Sequence, residues 1–62
     1  MKIKTLSKPR RVAFYAYTYT HGIVRLSERV CNRPESTRDW EDALDRVFDD
    51  PAVCYVGWEV ID

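Results

Sequence analysis

The side chains able to do chemistry in this chain are carboxylates, arginines and tyrosines. Glu41, Asp42, Asp45 and Asp49 recur at intervals that bring them to one side of a helix, with Glu35, Asp39 and Asp50 close by. A row of carboxylates can enter a groove that normally holds phosphates, because both offer spaced negative charge to Lys and Arg. The plainer reading is a solvated helix face. Asp39 and Glu41 suit the positive end of a helix dipole, whereas Asp49 and Asp50 sit at the end that disfavours acids. Upstream, Tyr15, Tyr17 and Tyr19 alternate with small residues, and Arg11, Arg25, Arg29, Tyr55 and Glu59 can share their side of a sheet. Tyr and Arg are enriched at protein-binding hot spots. The same pair suits single-stranded nucleic acid, where bases stack on aromatics beside cations. The structural alternative is that the tyrosines pair across strands with Arg stems over their rings.

Catalysis has little to work with. His21 is the sole histidine and precedes Gly22 in a turn-like segment, a place for a surface residue rather than a general base. Ser7, Ser27 and Ser36 lack a spaced base. Asp42, Asp45 and Asp49 could grip a divalent ion only weakly, without a loop to supply carbonyl ligands. Cys31 and Cys54 are too few for a disulfide scaffold, and with one histidine they cannot complete a zinc site. Both are expected to be reduced thiols packed as small hydrophobes. The chain is expected to be non-enzymatic, with no cofactor and no metal.

At 62 residues the chain has room for one domain with a small core. Its apolar content of 45% is too high for a disordered chain. No apolar run reaches the ~18 residues of a membrane span, and Met1 to Arg11 does not read as a secretory leader. A cytoplasmic protein without membrane contact is expected. The formal net charge of zero conceals a dipole. Residues 1–33 hold eight Lys and Arg against Glu28 alone, and residues 35–50 hold seven acids against Arg38 and Arg46.

The elements that must position these groups follow from periodicity. Residues 1–10 are polar and basic and read as an N-terminal arm, which Ile3 and Leu6 would allow to add a strand; residues 11–62 read as the domain. Residues 11–19 alternate as a strand, with Val12, Phe14 and Ala16 on one side and the tyrosines on the other. Thr20-His21-Gly22 supplies a turn. Residues 23–31 return as a second strand, with Val24, Leu26 and Val30 on the apolar side and Ile23, Arg25, Ser27 and Arg29 opposite. Ser36 and Asp39 resemble a capping box, so a helix should begin there. Trp40, Ala43, Leu44, Val47 and Phe48 form its apolar stripe, and Asp50-Pro51 ends it. Residues 53–61 make a third strand, with Cys54, Val56, Trp58 and Val60 on one face. A helix cannot bury its stripe alone. The prediction is an α+β fold, β-β-α-β, with an antiparallel sheet in spatial order 2-1-3 and the helix across Val12, Phe14, Ala16, Val24, Leu26, Val56 and Trp58. Cys31 and Cys54 then lie at opposite ends of the sheet.

In element order, size and acidic helix the chain resembles small phage-encoded inhibitors of host machinery, including inhibitors of bacterial RNA polymerase and anti-CRISPR proteins. The resemblance spans residues 11–61 and is architectural. It implies a binding protein that blocks a host nucleic-acid-handling protein or complex, acting in the host cytoplasm. The surfaces expected to bind are Glu41, Asp42, Asp45 and Asp49 on the helix, and Tyr15, Tyr17, Arg25, Arg29 and Tyr55 on the sheet. A second reading is a nucleic-acid-binding module using Lys2, Lys4, Lys8, Arg10, Arg11, Arg25 and Arg29 with Tyr15 and Tyr17. A third is a domain that forms a homodimer through the strand at residues 23–31 or through the tyrosine face.

Overall fold

The alternating run RRVAFYAYT forms strand β1 (Arg10–Thr18) and GIVRLSERVC forms β2 (Gly22–Cys31), antiparallel partners in a computed structural model that describes residues 5–62. The reversal between them needs a backbone angle that side chains resist. Gly22 supplies it at φ 68°. Thr18 closes the turn, its hydroxyl accepting from the His21 N–H at 2.9 Å and donating to the Gly22 carbonyl at 2.9 Å.

After β2 the chain makes a short 3-10 turn at Pro34–Ser36 and enters helix α1 (Arg38–Asp49). The helix cap lies one residue beyond the one predicted at Ser36. Pro34 is fully buried and anchors the 3-10 turn, which takes up Ser36. Thr37 caps instead, its hydroxyl accepting from the Trp40 N–H at 3.3 Å and donating to the Pro34 carbonyl at 2.7 Å. At the far end the Asp50 N–H donates to the Arg46 carbonyl, and the Asp50 carboxylate accepts from the Ala52 N–H at 2.9 Å. Strand β3 (Val53–Val60) follows directly.

The sheet is antiparallel in order β2-β1-β3, with α1 packed on one face, so the α+β arrangement predicted from the sequence is the one observed. Among the described residues of the basic arm, 5–9 form no strand. The Leu6 N–H donates to the Asn32 carbonyl at 2.7 Å, which ties this segment to the end of β2. Lys2, Ile3 and Lys4 lie outside the described residues. Cys31 pairs with Arg10 at one end of the sheet, Cys54 lies beside Thr18 at the other, and both are free thiols.

The core is small. Val12, Phe14 and Ala16 of β1, Ala43 of α1 and Val53 of β3 are buried on the helix side, and the Phe14 and Trp40 rings meet at 6.5 Å between centroids. Central β1 contributes most because both of its edges are paired. The predicted helix stripe is only half used: Ala43 is buried and Val47 half-buried, but Leu44 is 39% and Phe48 87% exposed. On the helix cylinder Phe48 lies about 100° from Val47, so a helix that presents Ala43 and Val47 to a narrow sheet turns Phe48 to its flank.

A second departure lies in β2. Phe14 faces Ser27 and Tyr15 faces Arg25, which leaves Leu26 as an extra residue in a β-bulge. Leu26 and Ser27 both turn toward α1, and every residue after the bulge changes sides. Ser27 and Arg29, predicted on the tyrosine face, therefore lie on the helix face. Val30, predicted on the helix face, lies opposite Arg11 on the tyrosine face and is 65% exposed. Val24, before the bulge, keeps its predicted side but is only partly covered. A second shift at Tyr17/Thr18 sets Cys54 out of register in β3.

Candidate functional site

Two surfaces bear the side chains that the sequence singles out, and the fold treats them differently. On α1 the local chemistry separates seven nearby acids into two groups. Three have structural work. Asp39 accepts from the Ser27 hydroxyl at 2.7 Å and pairs with Arg29 at 3.2 Å, fixing the start of α1 to β2. Glu35 accepts from the Trp58 indole N–H at 3.1 Å. Asp50 holds the turn into β3, which accounts for an acid at that end of the helix.

The other four are Glu41, Asp42, Asp45 and Asp49. All are exposed, and none enters an ion pair or side-chain hydrogen bond found among the described residues. Eight helical rises separate Glu41 from Asp49, so carboxylates recur on average about once per 4 Å of axis, close to the ~3.4 Å of helix axis per phosphate of one DNA strand. Arg38 and Arg46 stand on the same helix and reduce its negative charge without cancelling it. Leu44 and the nearly bare Phe48 flank the acids, so α1 offers an apolar ridge beside a carboxylate row. On its other flank a shallow cavity of about 170 Å3 runs between α1 and β2, lined by Leu26, Ser27, Asp39, Asp42, Ala43 and Arg46.

The second surface is the sheet face that α1 does not cover. Its residues follow from the register. One row crosses Ile23, Tyr17 and Tyr55; the next crosses Arg25, Tyr15 and Gly57. A third crosses Glu28, Ala13 and Glu59, and Val30 and Arg11 form the last. Tyr17 and Tyr55 stack with centroids 4.3 Å apart and planes 17° off parallel. Gly57 lies beside them, and a Cβ there would stand in ordinary van der Waals contact with the Tyr17 ring, at 3.6 Å. Arg25 lies over the Tyr15 ring at 5.6 Å and pairs with Glu28 at 3.1 Å, while Arg11 approaches Glu28 from the other side at 3.8 Å. These side chains close over Ala13, which is fully buried although no helix covers it.

The predicted sheet site is thus brought together in part. Tyr15, Tyr17, Arg25 and Tyr55 share the uncovered face, and Arg29 does not. Its side chain is held on the helix side by Asp39, because the Leu26 bulge reverses that end of β2. Tyr19, predicted on the same face, lies beyond the end of β1 in the turn, with its hydroxyl against Cys54; that contact holds the phenol above its usual pKa. Ile23 and Val30 are exposed apolar members of the uncovered face, and Glu28 is its central acid. An alternation pattern with no bulge hides Val30 and Glu28.

Electrostatically the two surfaces diverge. The uncovered face sets Arg11 and Arg25 against Glu28 and Glu59 and is balanced. Arg10 is also occupied: its guanidinium donates to the Asp62 carboxylate at 2.9 Å. Arginines of the basic half are thus engaged by Glu28, Asp39 and Asp62, whereas the four outer acids of α1 are not. Cys31 is pushed above the usual thiol pKa chiefly by burial, so it has little thiolate at neutral pH. Among the described residues, no group of three His, Cys, Asp or Glu side chains could hold a metal ion, and no helix is long and apolar enough to cross a membrane. No family model, no curated protein and no solved structure matches the chain.

Proposed function

We propose that this chain is a non-enzymatic binding protein whose helix α1 docks on a basic groove of a nucleic-acid-handling protein and so blocks nucleic acid from it. One observation carries the reading: after every other nearby acid has been given a structural partner, Glu41, Asp42, Asp45 and Asp49 still stand exposed in a row. Phosphate-like charge spacing suits a groove rimmed by Lys and Arg. Phe48 supplies an exposed aromatic anchor at the edge of the carboxylate row, with Leu44 beside it. Direct nucleic-acid binding by the sheet face is the weaker reading, because Arg11 and Arg25 there are answered by Glu28 and Glu59.

The test is capture from a nuclease-treated bacterial lysate on the immobilised chain, read by mass spectrometry. The expected result is a small set of nucleic-acid-binding proteins that added duplex DNA or raised salt releases. The triple variant D42K/D45K/D49K, altered only at exposed positions, should keep the wild-type circular dichroism and lose that set. An unchanged set captured by the triple variant would remove the mechanism.

A further inference from the structure

We propose that the uncovered sheet face is the interface of a homodimer, formed with a second copy of this chain by a two-fold axis lying across the strands. The argument is the order of side chains along the face, and it is independent of the α1 reading. Along β2 that order is Ile23, Arg25, Glu28, Val30: apolar, positive, negative, apolar. Reversing the direction of travel, as a two-fold axis perpendicular to the strands does, sets Arg25 against Glu28 of the partner subunit and Ile23 against Val30 of the partner subunit. Along β1 the same axis sets Tyr15 over the row of Ala13 of the partner subunit, where Glu28 and Arg11 cover the buried alanine, and Tyr17 against Arg11 of the partner subunit. Ring meets guanidinium and charge meets opposite charge in one operation. On β3 the gap at Gly57 falls opposite Glu59 of the partner subunit.

This self-complementarity is what an isologous contact requires, since residue i must meet j while j meets i. It depends on the Leu26 bulge. Without the extra residue, Ser27 and Arg29 would replace Glu28 and Val30 on this face, setting Arg25 against Ser27 of the partner subunit and Ile23 against Arg29 of the partner subunit, so that both the charge match and the apolar match on β2 would be lost. The axis crosses β1 between Ala13 and Tyr15, level with the bulge. Two such faces pack as sheets do, about 10 Å apart. The partner would cover Ile23, Val30 and Tyr55, which are 63%, 65% and 58% exposed. Each face is only about 14 by 27 Å, small for a permanent assembly, so the dimer is reversible.

The test measures mass by sedimentation equilibrium from 10 μM to 1 mM. The wild type, with a chain mass of 7.3 kDa, should move toward twice that value as concentration rises. R25E and E28R, each alone, should remain monomeric, because each sets like charges across the axis. Mixed in equal amounts, R25E and E28R should associate as a heterodimer, and the double variant R25E/E28R should dimerise like the wild type. V30K, at an exposed position, should be monomeric with an unchanged circular dichroism spectrum. A wild type that stays monomeric at 1 mM would overturn the proposal. So would a dimer indifferent to these substitutions, single variants that fail to associate on mixing, or a monomer that instead binds a labelled single-stranded oligonucleotide through Tyr15 and Tyr17.

Discussion

Phe14 and Phe48 show how little residue type alone decides. Phe14 is fully buried against Trp40 under α1, and Phe48 stands almost bare on the helix flank. Phe14→Ala should cost about 3–5 kcal/mol, most of the stability expected of a chain this size. Phe48→Ala should change stability by less than about 0.5 kcal/mol; urea denaturation of the two variants measures both. Strand alternation puts Phe14 on an apolar side and helical spacing puts Phe48 on one, and neither pattern says how wide a surface awaits it. A second prediction concerns acid. The Arg10 guanidinium, and after it the Arg11 N–H, hold the Asp62 carboxyl below the usual carboxylate range. A folded-state pKa lowered in this way adds stability above the unfolded value, and that share is lost as pH falls through the folded one. R10A should move the Asp62 midpoint upward in an NMR titration and reduce the acid dependence of stability.

At the scale of elements, α1 is held at its start more firmly than along its length. Thr37 caps it, Asp39 ties it to Ser27 and Arg29, and Trp40 meets Phe14, whereas Leu44 and Phe48 leave the later turns lightly covered. Asp39→Ala removes the acceptor of both β2 contacts. It should destabilise the fold by about 1–3 kcal/mol, read as a lower urea midpoint with an unchanged slope. The strand alternation, the turn at Gly22, the helix and its stop at Asp50-Pro51 were legible because each rests on local rules. The Thr37 cap was not, since choosing it over Ser36 depends on Pro34 being buried by distant residues. The bulge was not either: one extra residue in a run such as IVRLSERVC leaves no mark in composition.

For the molecule as a whole, the sheet order 2-1-3 could be read in advance because only central β1 is apolar on both sides. The four outer acids of α1 were also visible, from spacing alone. What the sequence concealed is that the arginine-rich hairpin is largely neutralised from within, by Glu28, Asp39 and Asp62. Two of those acids lie far along the chain from their partners, so a running count of charge overstates the positive half. The Leu26 bulge carries the widest consequence. Because it sets the parity of residues 27–31, it determines at once what grips Asp39 and what Tyr15 and Ala13 have for neighbours. A change of side-chain identity in this hairpin perturbs one site; the gain or loss of a single codon exchanges its two sides. Spacing, more than spelling, is the heritable constraint on this stretch of the gene.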